Sequence, residues 1–308
     1  MRRLAKFILI CFCGALAYAG FSACGPIDVS RMHIMVVSRE DGSGARTAFD
    51  SMVRNADGDR LSDLKPPGTH LLQGTGGVLG AVEINPSAIG YVSLGSVAPT
   101  VRAIRINGYG PREEGFPLAR DFNIGYAAGV TLNYSTQNFV SFLQSIEAQD
   151  IIAARELGRL DNVSIGGERS GEPRPNYAPM TQNHTGGSIL IRGSTSVEPV
   201  MNHLIIRFLE LNPNRISMAN FDISAMGTSH GTAAITDSSV NPSSNWVRTI
   251  SMRSSPESRP ADQVTQFDLC EDIIAVIVHP YNTVENLSLA QLYSIFARET
   301  RVWSAVLG

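Results

Sequence analysis

The sequence is poor in the groups that carry catalytic or metal chemistry. Its six histidines, His33, His70, His184, His203, His230 and His279, show no metal-ligand spacing. A Gly-x-x-x-x-Gly-Lys-Ser/Thr loop, a His-Glu-x-x-His pair and a Gly-x-Ser-x-Gly elbow are all missing, which removes the common nucleotide-hydrolysing, zinc-dependent and serine-hydrolase readings. Asp41-Gly42-Ser43-Gly44 lacks the alternating acidic ligands of a calcium loop. Past the first twenty residues no stretch reaches the roughly 18 apolar residues of a membrane-spanning helix. Neither an enzyme nor a cofactor carrier is expected.

Cysteine is scarce, and its placement is informative. Arg2, Arg3 and Lys6 precede an apolar run from Phe7 to Ala17 and then small residues, the three-part pattern of a secretory signal. Phe21-Ser22-Ala23-Cys24 is similar to a bacterial lipobox, although Phe21 stands where a leucine-like residue is usual; Ala17-Tyr18-Ala19 offers an alternative cleavage site. Residues 1–24 are therefore expected to be a signal peptide and Cys24 an acylated anchor. The remainder is expected outside the cytoplasm, lipid-anchored to the cell membrane or periplasmic if the lipobox is not used. Cys11 and Cys13 leave with the signal, so Cys270 remains as a free thiol and no internal disulfide is expected. Without the leader, 22 basic face 28 acidic side chains, a net charge of −6, so no nucleic-acid partner is expected.

The body of the chain, 43% hydrophobic and 17% charged, has the composition of a folded globular protein. Strand-like apolar runs alternate with helical spacing, which implies α/β architecture. Residues 34–37 run into a glycine-rich loop and then a helix through Ala45, Ala48, Phe49 and Met52. Gly76-Gly77 begins a short helix, and residues 88–94 read as a buried strand. Phe139, Phe142, Leu143 and Ile146 mark an amphipathic helix that Ile151 and Ile152 continue toward Leu157. Residues 161–187, rich in Gly, Pro, Asn and Ser without periodicity, read as a flexible linker. Beyond it, residues 188–191 form a strand, and Thr195 with Glu198 has capping-box spacing ahead of a helix from Val197 to Leu209. Residues 273–278 are a strand buried on both faces. Ser288 with Gln291 caps a last helix.

Three loops combine glycine and hydroxyls at a helix start: residues 39–44, residues 193–196 and residues 226–232. A helix N-terminus carries free N–H donors and about half a positive charge, so each suits a small anion. Any one such loop is more often only a capped helix; three together favour an anion site. Arg39 supplies a planar donor fork for a tetrahedral oxyanion, and Asp41 is expected to hold its guanidinium, unless the two form only a surface ion pair.

Several segments resemble the substrate-binding proteins of phosphate-specific ABC transporters: Ser38-Arg39-Glu40-Asp41-Gly42-Ser43-Gly44, Ile89-Gly90-Tyr91-Val92-Ser93-Leu94-Gly95, Gly193-Ser194-Thr195-Ser196-Val197, and Ala275-Val276-Ile277-Val278 through Ile295-Phe296. In that family the Gly-Ser-Thr-Ser segment comes first, so the order here looks like a circular permutation in which 161–187 joins the usual ends. The resemblance implies a periplasmic-binding-protein-like fold (type II) of two α/β lobes, one from 27–94 and 283–308, the other from 95–282. It implies that Thr195, Ser196 through its N–H, and Thr228 bind phosphate from one lobe and Arg39, Ser43 and Gly44 from the other, with Asp41 pairing with Arg39. Ser254 stands where some relatives carry an aspartate acceptor, and Ala45 where many have threonine, which places discrimination against sulfate and affinity in question.

The implied function is phosphate capture by a monomer that closes its lobes and meets an ABC permease in the membrane. Two rivals remain: a receptor for another tetrahedral oxyanion such as sulfate, and a non-binding structural product of rearrangement that swaps lobes between chains.

Overall fold

The structure, a computed structural model, describes residues 27–306 apart from 65–68, 156, 159, 166–167 and 255–262. The expected signal peptide and Cys24 lie outside the described residues. In chain order the elements are β1 (Met35–Arg39), α1 (Gly44–Met52), β2 (His70–Leu72), α2 (Gly74–Ile84), β3 (Ala88–Ser93), β4 (Arg102–Ala103), β5 (Arg105–Ile106), β6 (Ala119–Ala127), α3 (Tyr134–Leu143) and α4 (Ile146–Ala153). There follow β7 (Asn162–Ile165), β8 (Glu168–Pro173), β9 (Ile189–Gly193), α5 (Glu198–Leu211), β10 (Phe221–Ala225), α6 (Thr228–Thr236), β11 (Thr249–Arg253), β12 (Val264–Val278), β13 (Asn286–Leu287) and α7 (Leu289–Phe296).

Nine of the described strands form one continuous sheet in the order β10-β9-β11-β6-β12-β3-β1-β2, with β4 also on β12. The strand β12 joins the two halves. Its residues 264–273 run antiparallel to β6, and its residues 274–278 antiparallel to β3. At one end β1 lies parallel to β2 and β3; at the other β9 lies parallel to β10 and β11.

The buried side chains divide the same way. One core gathers Phe49, Tyr91, Ile104, Ile106, Leu118, Ile274, Val276 and Trp303. In it Phe49 stacks on Tyr91 with ring centroids 3.9 Å apart. The opposite face of the same strands packs against Val78 and Val82 of α2. The other core gathers Phe122, Ile124, Phe139, Phe142, Phe208, Met252 and Cys270. Each of these large side chains contributes roughly 1.5–3 kcal/mol by leaving water. The change of core falls just before β6 and within β12, which corrects the expected boundaries: residues 95–118 and 274–282 pack with the first lobe. The apolar run at 273–278 marks only part of a 15-residue strand whose earlier half is interrupted by polar residues.

The supposed linker is another correction. Asn162–Ile165 and Glu168–Pro173 pair as an antiparallel ribbon. Buried Arg174 donates to the carbonyls of Leu160 (2.5 Å), Gln144 (3.3 Å) and Asp268 (2.9 Å). Tyr177 and Met180 enter the second core, where Asn212 accepts the Met180 N–H at 2.6 Å and donates to the Tyr177 hydroxyl at 3.0 Å. Composition hid these anchors, because two apolar residues among Pro, Asn and Ser produce no periodicity. The helix expected to continue from Phe139 past Ile152 is broken at Ser145, whose side chain caps α4.

The segments at Ile34 and at Arg301–Trp303 lie side by side. Ile34 donates to the Arg301 carbonyl at 2.8 Å, and the Trp303 indole, fully buried, donates to the Ser87 carbonyl at 3.0 Å.

Candidate functional site

The strands β1, β9, β10 and β11 all deliver their C-terminal ends to the cleft between the lobes, the edge of a parallel sheet where α/β proteins bind ligands. Arg39 ends β1, and its guanidinium is 2% exposed. Nε and Nη2 donate to the two Glu40 oxygens at 2.8 and 2.7 Å, and Nη2 also reaches Thr195 Oγ1 of the other lobe at 2.9 Å. Nη1 is buried and has no hydrogen-bond partner among the described residues. A buried unpaired donor on a cation costs several times what an exposed one does, so its orientation marks where a negative group fits.

The partner of Arg39 is thus Glu40, not Asp41, which corrects the sequence reading. Asp41 is 91% exposed and pairs with Arg46 at 2.6 Å. Glu40 also accepts the Gly74 N–H at 3.1 Å. Burial pushes the Glu40 carboxyl up, but the paired bonds and charge of Arg39, with the Gly74 N–H, outweigh it and hold the carboxyl below its ordinary range. Adjacent residues in a strand face opposite ways; Glu40 can turn back because it lies just past the last residue of β1.

Ser43 caps α1 and accepts the Arg46 N–H at 3.4 Å, as its position implies. Gly44 is the first helical residue, and its N–H with that of Ala45 projects from the helix end. A methyl group on Gly44 would stand 2.3 Å from Thr228 Oγ1 and 2.4 Å from Ser254 Oγ. The helix start of one lobe therefore lies directly against hydroxyls of the other, and only glycine allows that approach.

Those hydroxyls form a connected group. Ser194 Oγ donates to Ser254 Oγ at 2.8 Å, Thr228 Oγ1 lies 3.3 Å from Ser254 Oγ, and Thr228 Oγ1 accepts the Ser254 N–H at 3.2 Å. Arg120, buried behind them, donates from Nη1 to the Ser254 carbonyl at 3.0 Å and from Nε to Asp272 at 2.9 Å. Asp272 also accepts from Ser93 at 2.5 Å. Its charge is balanced by Asp272, so the part of Arg120 is to fix the Ser254 backbone.

The structure brings Arg39, Ser43, Gly44, Thr195, Thr228 and Ser254 together. It excludes Asp41. The Ser196 N–H, expected to face the ligand, donates to Ser194 Oγ at 3.2 Å instead. Thr195 does not cap α5, which begins after Val197 without a side-chain cap; its hydroxyl meets Arg39. Glu40, Ser194 and Arg120 escaped the sequence reading. Ser194 lay within the quoted Gly-Ser-Thr-Ser segment, whereas Arg120 carried no local signal. His230 is held below its usual pKa by burial and by the charge of Arg192, so it adds no positive charge near pH 7.

A PBP superfamily domain matches residues 178–308. The phosphate-binding protein PstS 2 of Streptococcus pneumoniae is 29% identical over 315 aligned residues, 98% of this chain and 99% of the relative. The phosphate-binding protein PstS 2 of Streptococcus agalactiae is 27% identical over 89% of this chain and 88% of its own. The crystal structure of a phosphate-binding protein of a phosphate ABC transporter from Streptococcus pneumoniae TIGR4 is 30% identical, covers 89% of this chain and 99% of its own, and superposes with a TM-score of 0.58. This chain belongs to the phosphate-binding proteins of ABC transporters. Its periplasmic-binding-protein-like fold is the family's. A single alignment spans both pneumococcal and present chains nearly end to end, so the order of segments here is shared with that relative. The PBP domain match begins at residue 178, inside the 161–187 segment.

Proposed function

We propose that this protein binds inorganic phosphate between its lobes outside the cytoplasm and delivers it to an ABC-type import permease. The observation that carries this reading is Arg39. Its guanidinium is buried, held on one side by Glu40 and reaching Thr195 of the other lobe, with Nη1 unpaired among the described residues, while the α1 start at Gly44 lies against the Thr228 and Ser254 hydroxyls. A tetrahedral dianion placed there takes charge-assisted bonds from the guanidinium and N–H bonds from the helix end. Contacts come from both lobes, so binding favours the closed arrangement over an open one. No bond is made or broken.

The end-to-end match with a phosphate-binding relative supports the reading over a non-binding product of rearrangement. The start of the PBP domain match at residue 178 supports a circular permutation relative to family members that begin there. Acylation of Cys24 would tether the receptor beside its permease, and mass spectrometry of membrane-extracted protein tests that tether.

The function itself is tested by calorimetric titration of anion-stripped protein with phosphate and then sulfate. Micromolar or tighter phosphate binding, about −8 kcal/mol or better, with sulfate weaker, is the expected result. Preference for sulfate would assign the cleft to another oxyanion; silence toward both would remove the binding function.

A further inference from the structure

Beyond the anion-facing groups, the two lobes touch directly at the cleft rim. Helix α6 starts at Thr228 after Gly227, which has no side chain to cap it. Its early N–H groups need acceptors from elsewhere. Ser229 in the first turn of α6 donates both its N–H and its Oγ–H to the Gly42 carbonyl, each at 3.3 Å. Gly42 belongs to the loop that also carries Arg39 and Ser43, in the opposite lobe. One lobe thus caps a helix of the other.

The fit requires glycine at 42. Its φ is +80°, and a methyl group there would stand 2.2 Å from Ser229 Oγ and 3.3 Å from Ser229 Cβ. Ser229 is exposed and lies outside the hydroxyl group that faces the anion site. Its bonds run from protein to protein.

We propose that Ser229 is a closure latch: by bonding Gly42 across the cleft it biases the lobes toward the closed arrangement before any anion contact is counted. The inference rests on capture by lobe closure, and it deepens that reading by separating the residues that hold the anion from one that sets how often the binding-competent form occurs. Apparent affinity scales with the population of that form. Each bond is long and solvent-exposed, so the expected effect is modest, about three- to tenfold in the closed-to-open ratio.

The test uses Cys24→Ser protein with single cysteines introduced at Ile84 and Met218, which are exposed on the first and second lobes, and labelled for distance measurement. In anion-stripped protein, Ser229→Ala is expected to shift the distribution toward the open form and weaken phosphate binding about three- to tenfold, while the phosphate-saturated distance stays that of wild type. Gly42→Ala is expected to do the same more strongly. Adding Ser229→Gly to Gly42→Ala removes the opposing atoms and is expected to restore part of the closure, a coupling that loop strain alone would not give. Unchanged anion-free distances in Ser229→Ala would overturn the latch, as would a loss of affinity without a change in distance. If wild type binds no phosphate while the distances still respond to Ser229, the capture reading fails and the latch stands.

Discussion

Glu40→Gln separates the arrangement seen here from the one the sequence suggests. The Arg39–Glu40 pair is bidentate at 2.7 and 2.8 Å, with side chains 2% and 11% exposed. Two unit charges about 4 Å apart attract by about 4 kcal/mol at an effective dielectric of 20. The neutral amide still accepts a bond worth about 1 kcal/mol. The expected loss of folding stability is therefore about 3 kcal/mol, at the lower end for breaking a buried pair. Asp41→Asn, at a 91% exposed carboxylate, is expected to cost less than about 1 kcal/mol. Urea unfolding of anion-stripped protein at pH 7 reads both. The gap between wild type and Glu40→Gln also depends on pH with a definite sign. Glu40 is held below its unfolded value of about 4.3, so its contribution is present above that pH and is lost as pH falls through the lower folded value. Equal losses for the two variants, or a larger one for Asp41→Asn, would refute the assignment of Glu40 as the group that holds Arg39.

Gly44→Ala is expected to leave each lobe folded but to weaken phosphate binding by about 100-fold or more, because the methyl group meets Thr228 and Ser254 within 2.4 Å and holds the lobes apart; calorimetry reads the loss and circular dichroism the intact fold. Asp50→Asn is expected to stabilise the protein at pH 8. Burial pushes the Asp50 carboxyl up to about 6 against the pull of Arg46, so its ionisation weakens the folded state as pH rises from about 4 through 6. The full shift corresponds to up to about 3 kcal/mol, and screening at a side chain 22% exposed reduces this to about 1–2 kcal/mol. The advantage of the variant is expected to vanish by pH 4, and unfolding curves at the two pH values check it.

Much of the candidate site's geometry was legible because its parts are local. A strand, a loop with glycine and hydroxyls, and a helix can be read within a dozen residues, and Arg39, Ser43, Gly44, Thr195 and Thr228 follow from three such units. What failed needed distances that spacing does not encode. Asp41 and Glu40 are equally acidic neighbours of Arg39, and only the turn after β1 decides which carboxylate folds back. Arg120 lies 134 residues before the Ser254 carbonyl it supports. The lobe boundary was missed for a related reason: a strand that leaves one core and enters another has no break in its backbone to mark the passage. The segment before β9 was taken as unstructured because its anchors, Arg174, Tyr177 and Met180, act singly.

That uninterrupted strand has a consequence for folding. In the order of the sheet β12 lies between β6 and β3, so it completes both halves at once. Without it the first lobe exposes the edge of β3 and the second the edge of β6, and neither closes its core. The two lobes are therefore expected to melt as one cooperative unit rather than as independent domains. Because β12 is among the last strands in the chain, the strands before it wait for it, with two sheet edges open to mispairing until it is in place.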